Sequence, residues 1–274
     1  MALNKKIDFA VIFAVKHANP NGDPLNGNRP RITYEGIGEV SDVCIKRKMR
    51  DRLLEKGCEI FVQSDDRKVD NATSLRARAE NFFGKKLGVD DFAARACEQW
   101  LDVRAFGQLF AYQGDKKGDG TGVSIGIRGP VSVHPAFSIE PIDVTSTQIT
   151  KSVSGEDGKD GKRASDTMGM KHRVDEGVYC FFGSMNPQLS EKTGFSDEDA
   201  NTIKDILPRL FENDASSARP EGSMSVLKVL WWEHGSKSGT HSSAKVHGSL
   251  HVNADGSYTL TSLQGLEPEI IDGF

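Results

Sequence analysis

The side chains able to do chemistry in this 274-residue chain are mostly cations, and they come in groups. Arg29 and Arg31 close the stretch 19–31, NPNGDPLNGNRPR; Lys46, Arg47 and Arg50 follow in CIKRKMR; Lys171, His172 and Arg173 stand together in MGMKHRV. Arg104 and Arg128 stand singly. Guanidinium and ammonium groups bind anions, and several separated grips suit an extended anion such as a phosphodiester chain. Asn19 and Asn21 add amide donors and acceptors to the first group. The plainer alternative for a lysine- and arginine-bearing helix is a solvated face, and for Arg104 a paired, half-buried arginine.

Other chemistries are poorly supported. Asp23 and Asp42 lie in the same region and could be cast as acids of a metal-dependent nuclease. Asp23 in Gly-Asp-Pro is simplest as a turn residue and Asp42 as a helix cap, and neither has a histidine or second carboxylate near it in sequence. Gly118 to Gly122, GDGTG, lacks a following GK[ST] and leads into a strand pattern, which excludes a P-loop. His247 and His251 at i, i+4 would suit a metal on a helix, but KVHGSLHVNADGSYTL reads as a β-hairpin turning at Asp255-Gly256. No metal or other cofactor is expected.

The elements that must hold the cations follow from patterning. Ile7, Phe9, Val11, Phe13 and Val15 alternate with their neighbours and predict a first strand with one strongly buried face. Three prolines and repeated Asn-Gly pairs forbid helix or strand over 19–31, so that stretch is a shaped loop. Ser41 or Asp42 caps a helix striped by Ile45, Met49 and Leu53 and stopped at Gly57, with Lys46, Arg47 and Arg50 on its open flank. Residues 59–62 suit a short strand, and 61–120 a helical insertion whose Trp100, Leu101, Val103, Phe106 and Phe110 pack on the sheet. VSIGIRGPVSV over 123–133 predicts one bulged or edge strand, with Arg128 pointing opposite to Ile125 and Ile127. Residues 136–173 predict a long, thumb-like hairpin with Lys171, His172 and Arg173 at its base. Ser196 starts a second long helix that Pro208 disturbs, 225–234 is the last core strand, and the closing LEPEIIDGF is expected as a loose tail or subunit contact.

A single domain over 1–274 with insertions is expected, of the α+β class. The order strand, helix, strand, hairpin, strand, helix, strand is RRM-like (ferredoxin-like) with enlarged connections. The net charge of −4 excludes a uniformly basic nucleic-acid binder, so any grip is local. Phe9 and Phe13 are in phase with the buried aliphatic residues and read as core, against a generic RRM that stacks bases on strand aromatics. Four widely spaced cysteines indicate no disulfide framework, and no run approaches the roughly 20 apolar residues of a membrane span, so a cytoplasmic protein with no membrane partner is expected.

The motifs NPNGDP with GNRPR, SDVCIKRKMRD, DVRAFG, GIRGPVSV, MGMKHRV and ENDASSAR, in that order, resemble the backbone subunit of the type I-C CRISPR Cascade surveillance complex, in the RAMP superfamily. The resemblance runs from near the N-terminus into the final core strand. It implies a subunit with no catalytic role that polymerises head to tail along a CRISPR guide RNA, contacts other Cascade subunits and meets target DNA through the guide. Asn19, Asn21, Arg29, Arg31, Lys46, Arg47, Arg50, Arg104, Arg128, Lys171, His172 and Arg173 are then expected as RNA contacts. The rival within the superfamily is a metal-dependent endoribonuclease that cuts target RNA through an acidic residue such as Asp23 or Asp42.

Overall fold

The alternating residues of the first strand form β1 (Ile7–Ala18). After it the chain runs through β2 (Gly22–Asp23), β3 (Arg29–Pro30), β4 (Ile37–Val40) and α1 (Asp42–Glu55), then α2 (Leu75–Phe83), α3 (Phe92–Gln99) and α4 (Leu101–Phe106). Next come β5 (Gly107–Tyr112), β6 (Val123–Arg128), β7 (Val131–Val133), β8 (Ala136–Pro141), β9 (Val144–Thr150) and β10 (Met168–Met185). The chain closes with α5 (Pro187–Thr193), α6 (Asp197–Ile206), β11 (Met224–Glu233), α7 (Ser243–His247), β12 (Leu250–Val252), β13 (Tyr258–Leu260) and β14 (Glu269–Asp272). This computed structural model describes residues 1–84, 91–112, 123–150 and 168–274. The tip of the thumb-like hairpin and the Gly/Asp/Lys-rich rim at 113–122 lie outside the described residues.

The chain is a mixed α/β protein around one antiparallel sheet, ordered β14-β11-β1-β10-β8-β4. β1 is flanked by β10 on one side and β11 on the other. β10 also pairs with β7 at Gly183–Met185 and with β9 at Met168–Val174, so this 18-residue strand runs from the sheet out into an arm. On one face α1 and α6 pack Ile45, Met49, Leu53, Ile203 and Ile206 against Phe9, Phe13, Phe181 and Trp231. Phe9 stacks on Trp231 with centroids 5.6 Å apart and Phe13 on Tyr179 at 5.3 Å; both phenylalanines are wholly buried. Burial of each contributes about 2–3 kcal/mol.

Several expectations need correction. β1 is buried on both faces, because the segment after β11 folds back over Ala10, Ile12, Leu230 and Trp232 with Val246, Leu250, Leu263 and Leu266. Alternation with small or aliphatic residues such as Ala10 and Ile12 signals one face clearly and leaves the other ambiguous. That segment contains the expected hairpin, β12 with β13, but a short helix, α7, precedes it and carries His247. The closing residues form the edge strand β14 on β11, and Phe274 lies under the Arg209 guanidinium at 3.4 Å. Residues 59–62 form no strand. The insertion holds a two-stranded sheet, β5 with β6, and Trp100, Val103 and Phe110 pack with Phe61 and Phe92 in a core of its own; of the five residues expected on the sheet, Leu101 and Phe106 reach the main core. Gly129-Pro130 divides 123–133 into β6 and β7, which belong to different sheets. Among the described residues no helix is long and apolar enough to cross a membrane.

Candidate nucleic-acid interface

The loop after β1 is shaped by its own polar side chains. Asp23 caps a short 3-10 turn by accepting from Leu25 N at 3.1 Å, and Gly27 and Asn28 take left-handed backbone, φ +58° and +60°, which Gly and Asn adopt most readily. The chain then returns as β3 paired with β2. At Gly22 a Cβ would collide with the Asn28 side chain, which would have to shift. Asn19 is 3 % exposed, and its Nδ2 donates to Asn28 O at 2.7 Å. Asn21 Oδ1 accepts from both the amide and the hydroxyl of Ser41, each at 2.9 Å, and Ser41 is the N-cap of α1. The two asparagines therefore tie the loop to itself and to the helix. Arg29 is half-buried with no ion pair among the described residues, and Arg31 lies 3.7 Å from Asp23.

The cationic flank expected on α1 is largely neutralised within the chain. Lys46 pairs with Asp42 at 3.0 Å; Arg47 reaches Asp51 at 3.0 Å and Asp214 at 3.1 Å while staying 38 % exposed. Arg50 is the clearest correction to the expected surface position. Its Nε donates to the wholly buried Asp102 at 2.9 Å, its guanidinium covers the Phe106 ring, and Asp102 also accepts from Phe61 N and Val62 N. Arg104 is likewise committed, with Nε and Nη2 both on Asp199 at 2.9 and 2.7 Å and Nη1 on Cys97 O. These two arginines clamp the helical insertion onto α1 and α6.

On the arm, strand alternation sorts the basic triplet onto two faces. Lys171 and Arg173 stand opposite Thr147 and Thr145 on one face, and Arg173 is 3.3 Å from Asp175. His172 is on the other face, its Nδ1 2.8 Å from Ser146 Oγ, in line with Met170 and Met168. Lys171 has no ion pair among the described residues. The register pairs Ala18 with Val174, and β3 packs against β10, so the Arg29 loop meets the base of the arm. Arg128 is exposed at the end of β6, three residues before the β7 strand that pairs with Met185. At about 3.3 Å per residue, that is roughly 35–40 Å along β10 from Arg173. The structure thus brings together the loop, the start of α1 and the base of the arm, and leaves Arg104 and Arg128 at the far end.

The model for CRISPR-associated protein Cas7 matches residues 5–269. The chain belongs to the Cas7 family. It is similar to the CRISPR-associated protein Cas7 of Haloferax volcanii, 23 % identical over 291 residues, covering 99 % of this chain and 82 % of that protein. Among solved structures it is similar to a chain of a CRISPR RNA-guided surveillance complex in a pre-nicking state (14 % identity, TM-score 0.49, 83 % of this chain and 78 % of that one). It is also similar to a chain of the type III-B Cmr-beta complex bound to cognate target RNA (11 % identity, TM-score 0.45, 83 % and 61 %).

In this Cas7-family chain the candidate acids are otherwise engaged: Asp23 in its turn and with Arg31, Asp42 with Lys46. Among the described residues no group of three or more His, Cys, Asp or Glu side chains is arranged to hold a metal. A further cluster went unread in the sequence. Asp214 takes Lys48, Arg47 and Arg219 together, and Lys48 is 1 % exposed. Burial pushes the Asp214 carboxyl up, but the cations outweigh it and hold it below its usual range. The only signal was ENDASSAR itself, an aspartate and an arginine five apart in a loop between helix and strand.

Proposed function

We propose that this Cas7-family chain is the guide-RNA-gripping backbone subunit of a type I-C CRISPR surveillance complex. Membership of the family supports the coarse role, a backbone subunit of CRISPR RNA-guided surveillance complexes. In the finer reading, copies stack head to tail along the guide in the cytoplasm, with other Cascade subunits at the ends, and have no catalytic role. The strand order, with the first strand central between the third and fourth core strands and α1 and α6 together on one face, supports a ferredoxin-like, RRM-type core.

The observation that carries the reading is the pairing of Ala18 with Val174, which sets the Arg29 loop beside Lys171 and Arg173. A guide of arbitrary sequence must be held by its phosphates and 2′-hydroxyls, leaving base edges free to pair with target DNA. Cations on a rigid loop and a strand arm meet that need. Both sheet faces are covered, so an open aromatic platform of the usual RRM kind is not on offer. The proposed track consists of Arg29, Arg31, Arg47, Lys171 and Arg173, with Asn19 and Asn21 shaping it; Arg50 and Arg104 stay outside it.

The test is binding of fluorescein-labelled RNAs of equal length and unrelated sequence across a salt series, with Mg²⁺ or Mn²⁺ added in one arm. Equal affinities that fall steeply with salt, and no cleavage, support the reading. Strong sequence preference, a flat salt response or metal-dependent cleavage contradicts it.

A further inference from the structure

We propose that Asp214 and Arg219 are positioning residues that set where Arg29 meets RNA. This rests on the reading that Arg29 grips the guide. The path is continuous. Arg219 Nε donates to Asp214 Oδ2 at 2.9 Å, closing a turn in which Ser216 N donates to Arg219 O and Arg219 N returns to Ser216 O. The carbonyl of Ala218, inside that turn, accepts from Asn19 N at 2.8 Å. Asn19 Nδ2 then donates to Asn28 O, and Asn28 holds the left-handed backbone immediately before Arg29. On the other side Asp214 is anchored to α1 through Lys48 and Arg47.

Stability alone is a poor account of this arrangement. Taking Lys48 and Asp214 out of water is costly for each ion, and a buried ion pair is commonly no better than apolar residues of the same size. Burial pushes the Lys48 ammonium below its usual range even with Asp214 beside it. Asn19 leaves its buried Oδ1 without a hydrogen-bond partner among the described residues, an unfavourable state tolerated while Nδ2 is fixed on Asn28. What such a network does supply is a single geometry. Among the described residues the loop carrying Arg29 has no strand ladder beyond the two-residue pair β2 with β3, and side-chain hydrogen bonds such as those of Asn19 and Asn21 do the rest of the holding.

The experiment is a double-mutant cycle in RNA affinity with the purified full chain and labelled oligouridylate. Arg29→Gln is expected to weaken binding about tenfold, the scale of one charge-assisted contact. Arg219→Gln, which leaves Lys48 paired, is expected to weaken it several-fold, and the double variant to be no weaker than Arg29→Gln alone. Lys48→Met with Asp214→Leu, which removes the buried pair together, leaves Arg47 on Asp51 and frees the part-exposed Arg219 from its carboxylate, is expected to match Arg219→Gln, with thermal melts verifying the fold. Multiplied losses in the Arg29/Arg219 double variant, or wild-type affinity in Arg219→Gln or in the Lys48/Asp214 variant, overturn the proposal. Wild-type affinity in Arg29→Gln overturns the gripping role of Arg29 itself, and the inference with it.

Discussion

Arg50→Ala separates the two meanings an arginine on this helix can have. In the structure the substitution strands Asp102, which is wholly buried and would keep only the amides of Phe61 and Val62. Removing one partner of a buried pair costs about 3–5 kcal/mol, and the two surviving amide bonds argue for the low end, about 3. Loss of the guanidinium from the Phe106 ring, 5.1 Å from its centroid, adds about 1 kcal/mol. The sum, about 4 kcal/mol, corresponds to a drop of roughly 10 °C in a chain of this size at about 2–4 °C per kcal/mol. Thermal and urea melts measure it, with RNA affinity read at a temperature where the variant is folded. Lys46→Ala is the control, because its pair with Asp42 is part-exposed on both sides and contributes at most about 0.5 kcal/mol. An Arg50→Ala protein that melts within about 1 °C of the parent but has lost RNA affinity would refute the reasoning, since Arg50 would then be a solvent-facing ligand.

Two more outcomes are expected. Burial pushes the His234 imidazole below its ordinary value of 6.5, with Asp8 opposing, and burial and His247 lower His134. Unfolding restores the ordinary value, so as pH falls through about 6.5 the unfolded chain takes up protons that the folded chain refuses, and stability is lost. Asp8 follows at lower pH. Its burial is outweighed by hydrogen bonds from His247, Ser243 and His234 and by Lys6, so its carboxyl is held well below the ordinary 3.8, and stability falls further as pH drops below about 4. Urea midpoints at pH 8, 6, 5 and 4 should fall in that order; a midpoint that holds or rises to pH 5 contradicts the His234 assignment. On the arm, Lys171→Gln and Arg173→Gln should each reduce the steepness of the log-affinity against log-salt plot by about 0.7. His172→Ala at pH 8 should not; equal slope changes from all three would place them on one face.

The parts that were legible in the sequence are those governed by neighbours. Phe9, Val11, Phe13 and Val15 repeat every second residue, so β1 could be read, and Ser196 with Asp199 is a capping box visible as a three-residue spacing. The helix α1 was equally plain, though the reading left its cap between Ser41 and Asp42; Ser41 holds that place and Asp42 is the first helical residue. What could not be read is governed by partners distant in the chain. Nothing local to Arg50 tells that a carboxylate 52 positions on is buried against it, or that Asp199 waits for Arg104 at a separation of 95. Lys46, Arg47 and Arg50 look identical as a pattern, and tertiary pairing alone separates Arg47, 38 % exposed, from Arg50, 12 % exposed and held on the buried Asp102. The second sheet face was missed for a related reason: Val246, Leu250, Leu263 and Leu266 are too widely spaced across turns to show a period. The split of the basic triplet follows from strand geometry alone and was available once the arm was read as a hairpin.

The most direct test of the backbone role is the RNA content and size of the protein purified after expression with and without a cognate CRISPR array, its partner subunits supplied. The account predicts a large assembly carrying RNA of uniform length when the array is present, and neither without it. A monomer that retains no RNA even with array and partners would contradict it, and the loop of Arg29 with the arm of Lys171 and Arg173 would then serve another ligand.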